Sequence, residues 1–212
     1  MFFLRRPTSA QARTFLNQQR QQGYTYGEVG QSRGGLLSDR LRSAGYRIDQ
    51  HTAPLGSGHR CFAAARAAMQ AWQMFDTTWI RLTNPQAPFQ VGETLVVQVK
   101  HLGFYSLIPD RVVYIIDEPG RFGFGYGTLS GHAEQGEERF LVTYRSEEGQ
   151  AAADKAAGER ERRERTVRFE LYAFSRPRHP LARLGAPAVR LLQRAAAHAY
   201  TEAMRRAVGE QT

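Results

Sequence analysis

The sequence predicts an α+β fold in which one curved antiparallel sheet wraps around a long C-terminal helix. Three observations predict it. The elements run strand, helix, a series of strands, then a long helix, an order that one sheet and a terminal helix satisfy together. Glu118-Pro119-Gly120-Arg121 has the composition of a tight turn and makes a hairpin of the segments on either side. The last helical stretch, 186–208, carries its apolar residues at Val189, Leu192, Ala196, Ala199 and Ala203. That stripe is mostly alanine, so whatever packs on it can approach closely.

Taken in order, Thr8 opens a helix that runs to Gln22, with Gln11 three residues later as in a capping box, and Gly23 ends it. Residues 24–45 are glycine-rich and read as loop. Residues 46–55 read as a strand with Tyr46, Ile48 and Gln50 on one face. Ser57 or Gly58 caps a helix from about His59 to Phe75, whose buried stripe is Phe62, Ala65, Met69 and Trp72. Strands follow at 94–101, 111–117, 121–132, 139–145 and 166–175, several with apolar residues alternating. Between the last two lies 146–165, charged and without an apolar face, which reads as a mobile tip on a hairpin. The expected organisation is an N-terminal helix and glycine-rich segment, 1–45, packed on a main domain, 46–212, with the charged insert at 146–165.

At 212 residues, 42% of them apolar, the chain is long enough for one domain with a core. The formal charge of +9 sits at the ends. Residues 1–45 carry seven arginines against Glu28 and Asp39, net +5, and 176–212 carry seven against Glu202 and Glu210, again net +5. Residues 46–145 balance nine basic against nine acidic side chains. Nucleic-acid binding is therefore expected only as a non-specific property of basic termini. The single cysteine, Cys61, excludes an internal disulfide, no apolar run is long enough to span a membrane, and a cytoplasmic location is expected.

The element order resembles the helix-grip arrangement of the START-like superfamily. At residue level, "TYGEVGQS" (25–32), "LGSGHRCFAAARAAMQAW" (55–72), "GFGYGTLSGHAEQGEERF" (123–140) and "AFSRP" (173–177) resemble an uncharacterised bacterial and plant family filed as domain of unknown function nineteen-ninety. Its most specific block is Tyr126-Gly127-Thr128 with His132, Gly136-Glu137 and Phe140. The resemblance implies kinship and brings no activity with it. The charged 146–165 stretch departs from the family pattern, where a short turn is expected.

The glycines of "GFGYG", 123–127, need a reason, because a strand glycine costs about 0.5–1 kcal/mol relative to alanine. In a simple register Gly125 faces Tyr114 and Gly127 faces Val112. Two readings fit: the glycines admit the alanine-rich helix, or they leave space for a ligand. On the other face, Phe122, Phe124 and Tyr126 form an apolar patch that lines a cavity or is covered by the N-terminal segment or by a second copy in a homodimer.

The leading functional expectation is a non-catalytic binding site for an apolar or amphipathic small molecule between sheet and helix. Its expected lining is Trp72, Tyr114, Phe122, Phe124, Gly125, Tyr126 and Thr128, with Arg176 placed to meet an anionic group. An enzyme on the same scaffold is the alternative, using His132 and Glu137 as acid and base. Against it, "HAEQGEE", 132–138, reads as a turn that His132 organises by a hydrogen bond. No metal signature, phosphate loop or nucleophile elbow is present, so neither metal nor cofactor is expected.

Overall fold

The computed structural model describes residues 1–34, 38–101, 103–145, 166–178 and 186–209. The 146–165 insert therefore lies outside the described residues. Four α-helices and eight strands are present among the described residues. The helices are α1 (Ser9–Arg20), α2 (Ser38–Ser43), α3 (Gly58–Gln70) and α4 (Ala186–Gly209). The strands are β1 (Phe2–Phe3), β2 (Arg47–Ser57), β3 (Ile80–Leu82), β4 (Thr94–His101), β5 (Phe104–Glu118), β6 (Arg121–Thr128), β7 (Glu134–Arg145) and β8 (Thr166–Pro177).

All the strands join one antiparallel sheet in the order β2-β8-β7-β6-β5-β4-β3, with β1 added along β5. One face is gripped by helices. Phe122, Phe124, Tyr126, Phe140, Val142, Phe169 and Leu171 pack there with residues of α3, of a short 3-10 turn (Gln73–Phe75) and of α4. This is the helix-grip arrangement. The opposite face is covered too. Ala12, Phe15 and Leu16 of α1 pack on Val96 and Leu107, and Tyr26, Leu41 and Tyr46 pack on Tyr172 and Phe174.

The local reasons are visible in the sequence. Thr8 and Gln11 form the full capping box at the start of α1. Arg111 closes its other end by donating to the carbonyls of Gln19 and Arg20. The helix expected through Phe75 stops at Gln70, because Trp72 takes a left-handed conformation with φ of 57°. That conformation is costly for a bulky residue. It is held by the indole N–H, which donates to the Ala87 carbonyl at 2.8 Å, and by ring contacts with Phe89 and Phe124.

Gly120 supplies the positive φ, 72°, that the β5–β6 turn requires. A bulge between Val112 and Tyr114 then shifts the register. Gly125 faces Tyr114 as expected, but Gly127 faces Arg111 rather than Val112. The stretch expected to be a turn, 134–138, is the first part of β7. The stripe of α4 also differs. Among the described side chains Tyr200, Ala203, Met204, Ala207 and Val208 are its buried apolar positions, while Ala196 and Ala199 are only partly buried.

Candidate functional site

Strand alternation sorts the candidate residues onto two faces. Phe122, Phe124 and Tyr126 point to the gripped face, and Gly123, Gly125 and Gly127 to the other. A Cβ on Gly125 would collide with the Tyr114 ring, and one on Gly127 with the Tyr26 ring and hydroxyl. The glycines therefore admit tyrosines on the outer face. They do not admit the alanine-rich helix, and they leave no space on the gripped face. The expected ligand set is thus split: Tyr114 and Gly125 stand across the sheet from Trp72, Phe122, Phe124 and Tyr126.

On the outer face, residues 24–33 are drawn onto the sheet by Glu137. Its carboxylate accepts from the Tyr26 hydroxyl at 2.7 Å, the Gly30 amide at 2.7 Å, the Ser32 amide at 2.9 Å and the Ser32 hydroxyl. Ser32 and Tyr114 share a hydrogen bond at 2.6 Å, and Arg139 donates to the Ser32 and Arg33 carbonyls. Arg176 belongs to this face too: it bonds the Ala44 carbonyl and lies over the Tyr46 ring. Thr128, at the end of β6, is held by Thr25 and by the Gly136 amide. These contacts occupy Tyr114, Thr128, Arg176 and Glu137 with the protein's own chain.

His132 and Glu137 are not a pair. Among the described residues no hydrogen bond joins them. His132 Nδ1 accepts the Glu134 amide at 2.9 Å, which organises the entry to β7. Burial pushes its pKa down to about 4, so the ring is neutral at pH 7, as that bond requires.

The gripped face divides into two halves. One is filled by rings: Phe124 and Phe140 stack with centroids 5.0 Å apart, and Trp72 and Phe89 close the same cluster. The other half is polar, and sequence reasoning missed it. Asp49 on β2, Ala173 on β8, Glu138 on β7 and Tyr126 on β6 are successive partners across the sheet, so they form one row. Arg47 lies one step along on β2, Glu134 two steps along on β7, and Asp110 one step along on β5 from Val112, the partner of Tyr126. The middle of α4 covers this row with Gln193 and Tyr200.

The row is sparsely paired. Tyr126 donates to Glu138 Oε2 at 2.7 Å, and Gln193 Nε2 to Glu134 Oε2 at 2.7 Å. Asp110 is 1% exposed, yet its Oδ1 has no hydrogen-bond partner. Arg47 Nε and Nη2 and Gln193 Oε1 are buried and unpartnered as well. Burial pushes the Asp110 carboxyl well above the carboxylate range, and the Glu138 charge adds to the shift. Burial also raises Glu138 to about 7, against the opposing bond from Tyr126. Glu134 is raised too, chiefly by burial. Arg47, Asp49, Glu138, Ser175 and Gln193 keep partial exposure, so solvent reaches this half. Among the described residues no group of side chains has the make-up of a metal site.

The family model described as "Domain of unknown function (DUF1990)" matches residues 25–203. The chain belongs to this family. A Deinococcus radiodurans relative, named a UPF0548 protein, is 37% identical over 99% of this chain and 100% of its own length. A Dictyostelium discoideum UPF0548 protein is 32% identical over 91% of this chain and 89% of its own. Among solved structures, Ara h 8.0201 aligns over 78% of this chain and 99% of its own, with 10% identity and a TM-score of 0.45. In this DUF1990 chain the block 126–140 spans both faces: Gly127 and Glu137 hold the outer segment, while Tyr126 and Phe140 belong to the gripped face. Among the described residues no helix is long and apolar enough to cross a membrane.

Proposed function

We propose that this protein binds a small amphipathic molecule on the gripped face of its sheet, beneath the middle of α4. The ligand's polar head meets the row of Asp110, Glu138 and Glu134, and its apolar body lies along Tyr126, Phe140 and Tyr200. The observation that carries this reading is Asp110. A buried carboxyl with an unpartnered oxygen costs about 1–3 kcal/mol of stability, and such a cost persists where a ligand relieves it. The partial exposure of Glu138, Asp49 and Gln193 supports access from solvent.

The test is native mass spectrometry of the purified protein, followed by thermal shift with a panel of amphipathic compounds. A small-molecule adduct lost on denaturation, or a saturable rise in Tm that Asp110→Leu abolishes, is expected. No adduct and no saturable shift across the panel would refute the reading.

A further inference from the structure

The charge on the gripped face is lopsided. Four carboxyl groups face the helix: Asp49 from β2, Asp110 from β5, and Glu134 and Glu138 from β7. Arg47, also on β2, acts on Glu134, and Gln193 and Ser175 hydrogen-bond that same carboxyl. Glu138 and Asp110 are different. Among the described residues neither has a cationic partner: Tyr126 and Asp49 bear on Glu138, and Glu138 bears on Asp110. Tyr200, above them on α4, is raised by burial and then by these two acids. His51, further along β2, pairs with Thr201 and His198 of α4 and is itself held toward neutrality by burial.

Beside the two acids stands an aromatic wall. Phe75 lies 6.3 Å from Tyr126 and 5.5 Å from Tyr200, and Phe140 lies 5.4 Å from each of those two tyrosines. Carboxyl groups without a counter-ion favour a cation, and ring faces attract one. Asp110, fully buried with an unpartnered oxygen, adds a point at which a donor N–H is missing.

We infer that the head group of the ligand is a protonated amine, held by Glu138 and Asp110 against the Tyr126 and Tyr200 rings. This inference rests on the binding reading above and names the chemical class of its ligand. It also fixes a pH dependence. The amine binds the ionised form of Glu138, so at neutral pH binding drives a proton off that carboxyl. Affinity rises by about tenfold per pH unit below about 7 and levels off above it.

Isothermal titration with hexylamine, hexanol and hexanoate separates the possibilities, since the three share a body and differ only at the head. Hexylamine is expected to bind at least about tenfold more tightly than either of the others. In wild type at pH 7 its binding releases about half a proton per site, read from the dependence of the heat on buffer ionisation. In Glu138→Gln, checked for a Tm no lower than that of wild type, the preference for the amine and the proton release both vanish. Equal or tighter binding of hexanol or hexanoate would overturn the amine assignment while leaving the binding reading standing. An amine preference with no proton release, or one that survives in Glu138→Gln, would overturn the role of Glu138 and with it the inference. If none of the three binds and native mass spectrometry finds no adduct, the binding reading itself falls.

Discussion

The Tyr26 hydroxyl donates to Glu137 Oε2 at 2.7 Å, joining residues 111 apart in the chain. The phenol reaches the carboxylate across Gly127, whose missing side chain leaves the space that the Tyr26 ring fills. With the Gly30 and Ser32 amides on the same carboxylate, this contact seals the outer face of β6 and β7 beneath the N-terminal segment.

Glu137→Gln should therefore act on stability. The carboxylate accepts from four donors, and an amide replaces one accepting oxygen by a donor, leaving buried N–H or O–H groups unpaired. A loss of about 2–4 kcal/mol is expected, since hydrogen bonds to charged groups are worth about 1.5–3 kcal/mol each. Urea titration measures it, and limited proteolysis should cut within 24–34 more readily. A variant with wild-type midpoint and wild-type protease resistance would show that Glu137 holds nothing.

Gly125→Ala places a methyl group into the Tyr114 ring. Overpacking of this kind costs about 1–3 kcal/mol. Because the clash is on the outer face, uptake of an amphipathic probe should be unchanged. The double variant Gly125→Ala with Tyr114→Ala should be less destabilised than the sum of the two singles, by about 0.5–3 kcal/mol of coupling. Additive losses in the denaturation cycle would mean that the ring and the glycine do not share the space.

The sequence was informative where the reasons are local. The capping box at Thr8, the Pro119-Gly120 turn and the facing of Gly125 by Tyr114 are all fixed within a few residues, and all were legible. The bulge at Val113 was not, and it displaced Gly127 by one position. The first part of β7 was hidden because glutamates at 134, 137 and 138 read as a solvated turn. In the fold they alternate, Glu137 to the outer face and Glu138 to the inner. Which face the glycines serve depends on Tyr26, more than 100 residues before its partner Glu137, and no periodicity in the strand carries that information. The polar row was invisible for the same reason, since Asp49, Asp110 and Glu138 meet only through cross-strand pairing.

His132 should shape the acid limb of stability. Its pKa is near 6.5 in an unfolded chain and about 4 in the fold, so the folded state binds fewer protons between those values. The stability it contributes is complete above about pH 6.5 and is lost as pH falls toward 4. Removing the ring by His132→Ala should reduce stability at pH 7 by about 1–3 kcal/mol, through the orphaned Glu134 amide. It should also flatten the pH dependence between 4 and 6.5. Parallel denaturation curves for variant and wild type across that range, with a constant difference, would contradict the neutral ring.

Glu138 shows the opposite sign. Its pKa is raised from the usual carboxylate range to about 7 in the fold, so the folded state holds a proton that the unfolded chain has already released. In the ligand-free protein its contribution is intact below about pH 4.5 and is lost as pH rises through 7. Glu138→Gln keeps a neutral, hydrogen-bonding side chain beside Tyr126 at every pH. Relative to wild type it should gain about 1–3 kcal/mol between pH 4 and pH 8, after discounting for the partial exposure of the carboxylate. Denaturant midpoints of both proteins at the two pH values measure that difference directly. If wild type and variant keep the same separation at pH 4 and pH 8, Glu138 ionises in the fold as it does in water, and the gripped face offers no unsolvated acid for a ligand to neutralise.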